Sequence, residues 1–131
     1  MKIVVSPNPY RDKQFKNARQ ACSILREAGA EVALCLPFDV DKTFEIPHDL
    51  RFQDIQKEIK TADMLICFGG DGTILHSSKI ATEHNLPILG VNIGTMGFIA
   101  ELESGEIELL RRIPKGEYTV EERTMLDVSV G

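Results

Sequence analysis

The chain has 131 residues, of which 43% are apolar and 27% charged, and a net charge of −5. This is ordinary globular composition, long enough for one domain to bury a core without disulfide staples. The acidic balance argues against nucleic acid as a partner, because phosphate backbones select basic faces, but leaves room for a small nucleotide held by a few local donors.

Residues 2–5 are a short apolar run closed by Ser6-Pro7-Asn8-Pro9, which predicts a strand entering a loop. The run is too short for a signal peptide and nothing approaches membrane-spanning length, so no membrane association is expected. Phe15, Ala18, Cys22 and Leu25 recur at helical spacing, with Gly29 as the stop. Residues 32–36 form a second apolar run, ended by Pro37, and residues 37–50 read as a loop. Phe52, Ile55 and Ile59 mark a second amphipathic helix, and residues 64–68 a third strand. Gly69-Gly70-Asp71-Gly72 is the turn after it, with a helix from Thr73 carrying Ile74, Leu75, Ser78 and Ala81. Residues 88–93 are a fourth strand, interrupted by Gly90. Cys22, Cys35 and Cys67 fall inside these elements without metal-ligand spacing, as expected of buried reduced thiols in a cytoplasmic protein.

This β-α-β-α-β-α-β order, with strands apolar throughout, predicts an α/β fold with a parallel sheet flanked by helices. Ligands bind such sheets beyond the carboxyl ends of the strands, so residues 69–73 and 92–98 should face one crevice. The pattern then changes. Ser104 is a candidate cap for a short helix holding Ile107, Leu110 and Ile113, ended by Pro114 and Gly116. Tyr118 to Val120 reads as strand, and Leu126, Val128 and Val130 alternate with Asp127 and Ser129 as in an antiparallel sheet. Two units are therefore expected: an α/β domain over residues 1–117, and over residues 118–131 the first strands of a β-rich second domain otherwise missing from the chain.

The chemistry concentrates in Gly69-Gly70-Asp71-Gly72-Thr73. Glycines accept backbone angles closed to other residues and let a ligand approach the main chain. The helix that follows offers free N–H groups and a positive dipole end to phosphate. Asp71 would repel phosphate, so a carboxylate here needs a separate role. Two roles fit: taking a hydrogen bond or proton from a hydroxyl, or holding a divalent metal. The plain alternative is a tight turn with Asp71 as helix cap. The spacing and lysine of a P-loop are absent. In the second loop Gly94 and Gly97 permit close backbone approach, while Asn92 and Thr95 supply side-chain donors and acceptors. Phe98 either lies against a flat base or packs under the loop. His48 and His84 read as solvated surface, Arg111 and Arg112 suit the dipole near the end of a short helix, Glu101 and Glu103 either border the site or lie in a solvated turn, the turn being favoured, and Asn8-Pro9 is a loop on the same rim without an assigned role.

Gly-Gly-Asp-Gly-Thr at 69–73, Asn-x-Gly-x-x-Gly-Phe at 92–98 and Glu-Glu-Arg-Thr-Met-Leu at 121–126 occur in this order in NAD kinases. From Met1 to Gly131 the chain resembles the first half of that family. The first motif alone is shared with diacylglycerol and sphingosine kinases and with 6-phosphofructokinases.

The resemblance implies a Rossmann-like N-terminal domain and ATP-dependent phosphorylation of the adenosine ribose 2′-hydroxyl of NAD, giving NADP. It makes Asp71 the acceptor of the hydroxyl proton and sets Asp71 and Gly72 against the ribose and nicotinamide side. Gly69, Gly70, Thr73, Asn92, Gly94, Thr95 and Gly97 are candidate binding residues beside them. His76 stands where the family often has a basic residue, and Phe98 where an aromatic lies near the adenine. ATP or polyphosphate is the implied donor, with Mg²⁺ or another divalent metal; no metal ligand set is readable. The family's Asn-Glu or Asn-Asp substrate pair belongs to the second domain and is not in this chain. Homo-oligomers through that domain are implied as well.

A lipid kinase of the diacylglycerol type is the first rival. Its glycine loop usually continues with Asn-Glu, where Ile74-Leu75 stands here, and its second loop usually reads Gly-Thr-x-Asn-Asp, where Gly94-Thr95-Met96-Gly97-Phe98 stands. The second rival is a nucleotide-binding fragment, inactive or nearly so by itself.

Overall fold

The computed structural model describes residues 1–93, 100–122 and 126–130. Alternate residues of its apolar runs go to opposite faces of one sheet, as a period of two requires. Strand β1 (Lys2–Pro7) sends Ile3 and Val5 into one apolar layer and Val4 into the other. Strand β3 (Met64–Gly69) is buried at every position and divides the same way, with Met64, Ile66 and Phe68 opposite Leu65 and Cys67.

Strands dry on both faces need cover on both. Helix α1 (Lys16–Glu27) and a 3-10 helix over Ser104–Lys115 pack on the first layer. Helices α2 (Ile55–Glu58) and α3 (Asp71–Glu83) pack on the second. The 3-10 helix buries Ile107, Leu110 and Ile113. Their spacing of three matches its period, which explains why that segment departs from an α-helix. Its N-cap is Glu103, in a reciprocal capping box with Glu106, where the sequence pointed to Ser104.

With β2 (Glu31–Leu34) and β4 (Ile88–Asn92), the parallel strands run in the order β2-β1-β3-β4. The chain leaves β1 toward β2 and then crosses to the other side for β3. The connections after β1 and β3 thus part at a switch point, where open α/β sheets leave a crevice. The far edge of β4 is shared. Strand β5 (Leu102–Glu103) pairs with its carboxyl end and β7 (Leu126–Val130) with its amino end, at Ile88 and Asp127. Strand β6 (Tyr118–Glu122) completes the expected antiparallel hairpin with β7, which extends the same sheet.

Two helices start elsewhere than the sequence predicts. Helix α3 begins at Asp71, two residues before Thr73, because extended Gly70 (φ −93°, ψ −174°) already turns the chain and an acid suits the first turn. Helix α2 begins after Asp54, whose side chain accepts from the Gln56 N–H at 3.0 Å. Phe52 lies outside it, its ring 4.9 Å from that of Phe15.

Cys22, Cys35 and Cys67 are buried and not disulfide-bonded. Burial pushes the Cys22 thiol up to about 11 and those of Cys35 and Cys67 up to about 12, so all three stay protonated at neutral pH. Among the described residues no helix is long and apolar enough to cross a membrane.

Candidate active site

The glycine loop sits where β3 ends and α3 begins. The Ile93 N–H donates to the Gly69 carbonyl at 3.1 Å, and Gly69 pairs with Asn92 in register, so the carboxyl ends of β3 and β4 are joined. This brings Asn92 to the glycine loop, as the sequence implied.

The glycines are not there for unusual backbone angles. Among the described residues only Gly29 and Gly116 are glycines with positive φ. Close packing and open space explain the loop instead. A Cβ on Gly69 would stand 2.7 Å from the Cβ of Thr73 and 2.8 Å from its Oγ1. A Cβ on Gly70 would stand 3.4 Å from Cζ of Arg11. One on Gly72 would meet nothing within 4 Å among the described residues.

Asn8 ties this loop to the one after β1. Its Nδ2 donates to Thr73 Oγ1 at 2.7 Å in a buried bond, and its backbone N–H donates to the Phe68 carbonyl at 2.7 Å. Its Oδ1 accepts from the Tyr10 N–H at 2.9 Å. Four residues on, the buried Asp12 accepts from the N–H groups of Asn17 and Ala18, each at 2.9 Å, fastening the start of α1. The β1 loop is therefore held at both ends. The Asn-Pro step was visible in the sequence, but its partner lies 65 residues away, so no local pattern assigned it.

Asp71 is half-buried at the first position of α3. The N-cap is Gly70, so Asp71 is not the capping residue that the plain alternative requires. Asn92 is buried, and its Nδ2 donates to Glu103 Oε2 at 2.9 Å, which favours for that carboxylate a place at the border of the site over the solvated turn. His76 is turned another way. Its Nε2 donates to the Pro37 carbonyl at 2.9 Å and its ring stands edge-on to Phe38. Five residues along a helix is a rotation of about 140°, so the structure does not bring His76 together with Asp71. Gly94, Thr95, Gly97 and Phe98 lie outside the described residues. Among the described residues no three or more His, Cys, Asp or Glu side chains converge as a metal site.

Residues 2–118 match the family model described as the ATP-NAD kinase N-terminal domain. An NAD kinase of Corynebacterium diphtheriae is 32% identical over 98% of this chain and 42% of its own length. One from Bacteroides fragilis is also 32% identical, over 98% of this chain and 45% of its own length. The chain thus spans less than half the length of these relatives. The crystal structure of yeast NADH kinase complexed with NADH superposes with a TM-score of 0.62 over 98% of this chain and 46% of that one. At 17% sequence identity, that likeness concerns the fold alone.

Proposed function

The chain belongs to the ATP-NAD kinase family, and from that premise we propose that the protein is an NAD kinase that phosphorylates the 2′-hydroxyl of the adenosine ribose, giving NADP. The observation that carries this reading is Asp71, half-buried at the start of α3 beside a glycine turn at the sheet's carboxyl edge. The ribose 2′-oxygen attacks the γ-phosphorus of ATP. A new P–O bond forms while the bond to the bridging oxygen breaks, ADP departs, and the hydroxyl proton passes to the Asp71 carboxylate. Phosphoryl transfer goes through a loose transition state, so a carboxylate that orients the hydroxyl and takes its proton late is sufficient.

The lack of a side chain at Gly72 and the N-terminal end of α3 suit close approach by substrate and phosphate. Asn92, beside the turn, borders the same crevice. A divalent cation carried by ATP would neutralise charge on the phosphate oxygens, and no protein ligands are assigned to it. The loop residues Gly94, Thr95, Gly97 and Phe98 complete the NAD side of this reading, with Phe98 near the adenine. His76 serves it through its hold on Pro37.

The match to the family ends at residue 118, where β6 begins. We take residues 1–117 as the α/β domain and the β6–β7 hairpin, which joins its sheet at β4, as the lead into a second unit that completes the cleft and assembles the oligomer. On this view the 131-residue chain alone is inactive or nearly so. The protein works in the cytoplasm, where thiols stay reduced.

The test is to offer γ-labelled ATP with NAD or with diacylglycerol in vesicles. Label is expected in NADP and not in lipid; label in the lipid alone would overturn the reading.

A further inference from the structure

The basic residue that the sequence offered near the glycine loop, His76, is held by Pro37, yet the fold supplies another. The Arg11 guanidinium lies against Gly70: Cζ is 3.4 Å, and Nε and Nη1 each 3.6 Å, from where a Cβ on that glycine would be. Among the described residues no carboxylate pairs with it. The nearest acid in sequence, Asp12, is turned away and spent on the start of α1. Arg11 is exposed, but its backbone is fixed. Its N–H and that of Asp12 donate to the Asn8 carbonyl, at 3.2 and 2.9 Å, and Asn8 is bonded in turn to Thr73 and Phe68. The loop after β1 and the loop after β3 flank the switch point, so the cation is delivered to the crevice from the strand opposite Asp71.

We propose that Arg11 is a binding residue for the triphosphate of the phosphoryl donor, its guanidinium set over the bare Gly70 turn. A planar, permanently charged fork matches phosphate oxygens in pairs, which a lysine does not. The start of α3 directly follows Gly70, and the positive end of a helix dipole favours phosphate. Gly70 lacks a side chain where the guanidinium lies, and its extended backbone gives no other reason for glycine at that position. Arg11 and Asp71 then divide the work across one turn, the cation on the donor and the carboxylate on the acceptor. This assignment rests on the kinase reading and deepens it.

The test measures calorimetric affinities of the protein for inorganic tripolyphosphate, ATP and NAD, each titrated separately, for wild type, Arg11→Ala and Arg11→Lys. Melting temperatures are taken alongside. Arg11→Ala is expected to weaken tripolyphosphate and ATP by about ten-fold or more, Arg11→Lys by less, with NAD affinity and melting temperature nearly unchanged. Tripolyphosphate affinity equal in all three proteins, or no tripolyphosphate binding by wild type, would overturn the role of Arg11. Equal losses for NAD and tripolyphosphate would overturn it too, marking Arg11 as a structural support of the crevice. Tripolyphosphate binding that depends on Arg11, with no NAD binding by any of the three, would sink the NAD kinase reading and leave Arg11 as a phosphate ligand.

Discussion

Asp71→Asn is expected to slow NADP formation by about 10²- to 10⁴-fold, the usual worth of a positioned proton acceptor. Asparagine is nearly the same size and can still hydrogen-bond the ribose, so NAD affinity should change little. It cannot accept the hydroxyl proton. The loss should therefore appear in kcat rather than KM, as expected for a group whose contribution is made in the transition state. A melting temperature taken alongside separates this loss of rate from any loss of fold. Wild-type rates from the variant would remove Asp71 from the chemistry.

Gly69→Ala is the substitution with the largest expected structural effect in the loop. Its new Cβ falls 2.7 Å from the Cβ of Thr73, well inside normal contact. Thr73 cannot swing aside, because it is buried in the first turn of α3 and its Oγ1 accepts from Asn8. Either the helix start or the end of β3 must shift. The cost should be about 1–3 kcal/mol, as for other overpacked sites, read as a lower urea midpoint at unchanged slope. Activity should fall with it, since the same shift moves Asp71. Gly72→Ala is the control: among the described residues nothing lies within 4 Å of its added methyl, so stability should hold or rise while substrate binding suffers. Equal stability of Gly69→Ala and wild type would contradict the close packing of this turn.

Those two glycines show what the sequence could and could not convey. The strand-loop-helix context of residues 69–73 was readable because residues 64–68 are apolar without interruption and Gly-Gly-Asp-Gly follows directly. The reason for the glycines was not readable. It lies in the distance from Gly69 to a side chain on the next helix and in the approach of Arg11 from another strand, and neither leaves a local trace. The same holds for Asn8, whose bond to Thr73 spans 65 residues. Phe52 was drawn into a helix because its spacing to Ile55 suits one, yet aromatic packing on Phe15 holds it outside. His76 follows the family pattern in sequence, but the turn of α3 carries it to Pro37. The parallel order β2-β1-β3-β4 was legible only as a class. The switch point between β1 and β3 comes from the pairing itself.

The central claim is that the Asp71 carboxylate meets the hydroxyl that receives phosphate. The direct test is a crystal structure of the protein with NAD bound. A carboxylate oxygen of Asp71 is expected within hydrogen-bonding reach of the adenosine ribose 2′-oxygen, about 2.6–3.2 Å. A ribose turned away from α3, with its 2′-oxygen held by other groups and Asp71 folded under the turn, would contradict the account.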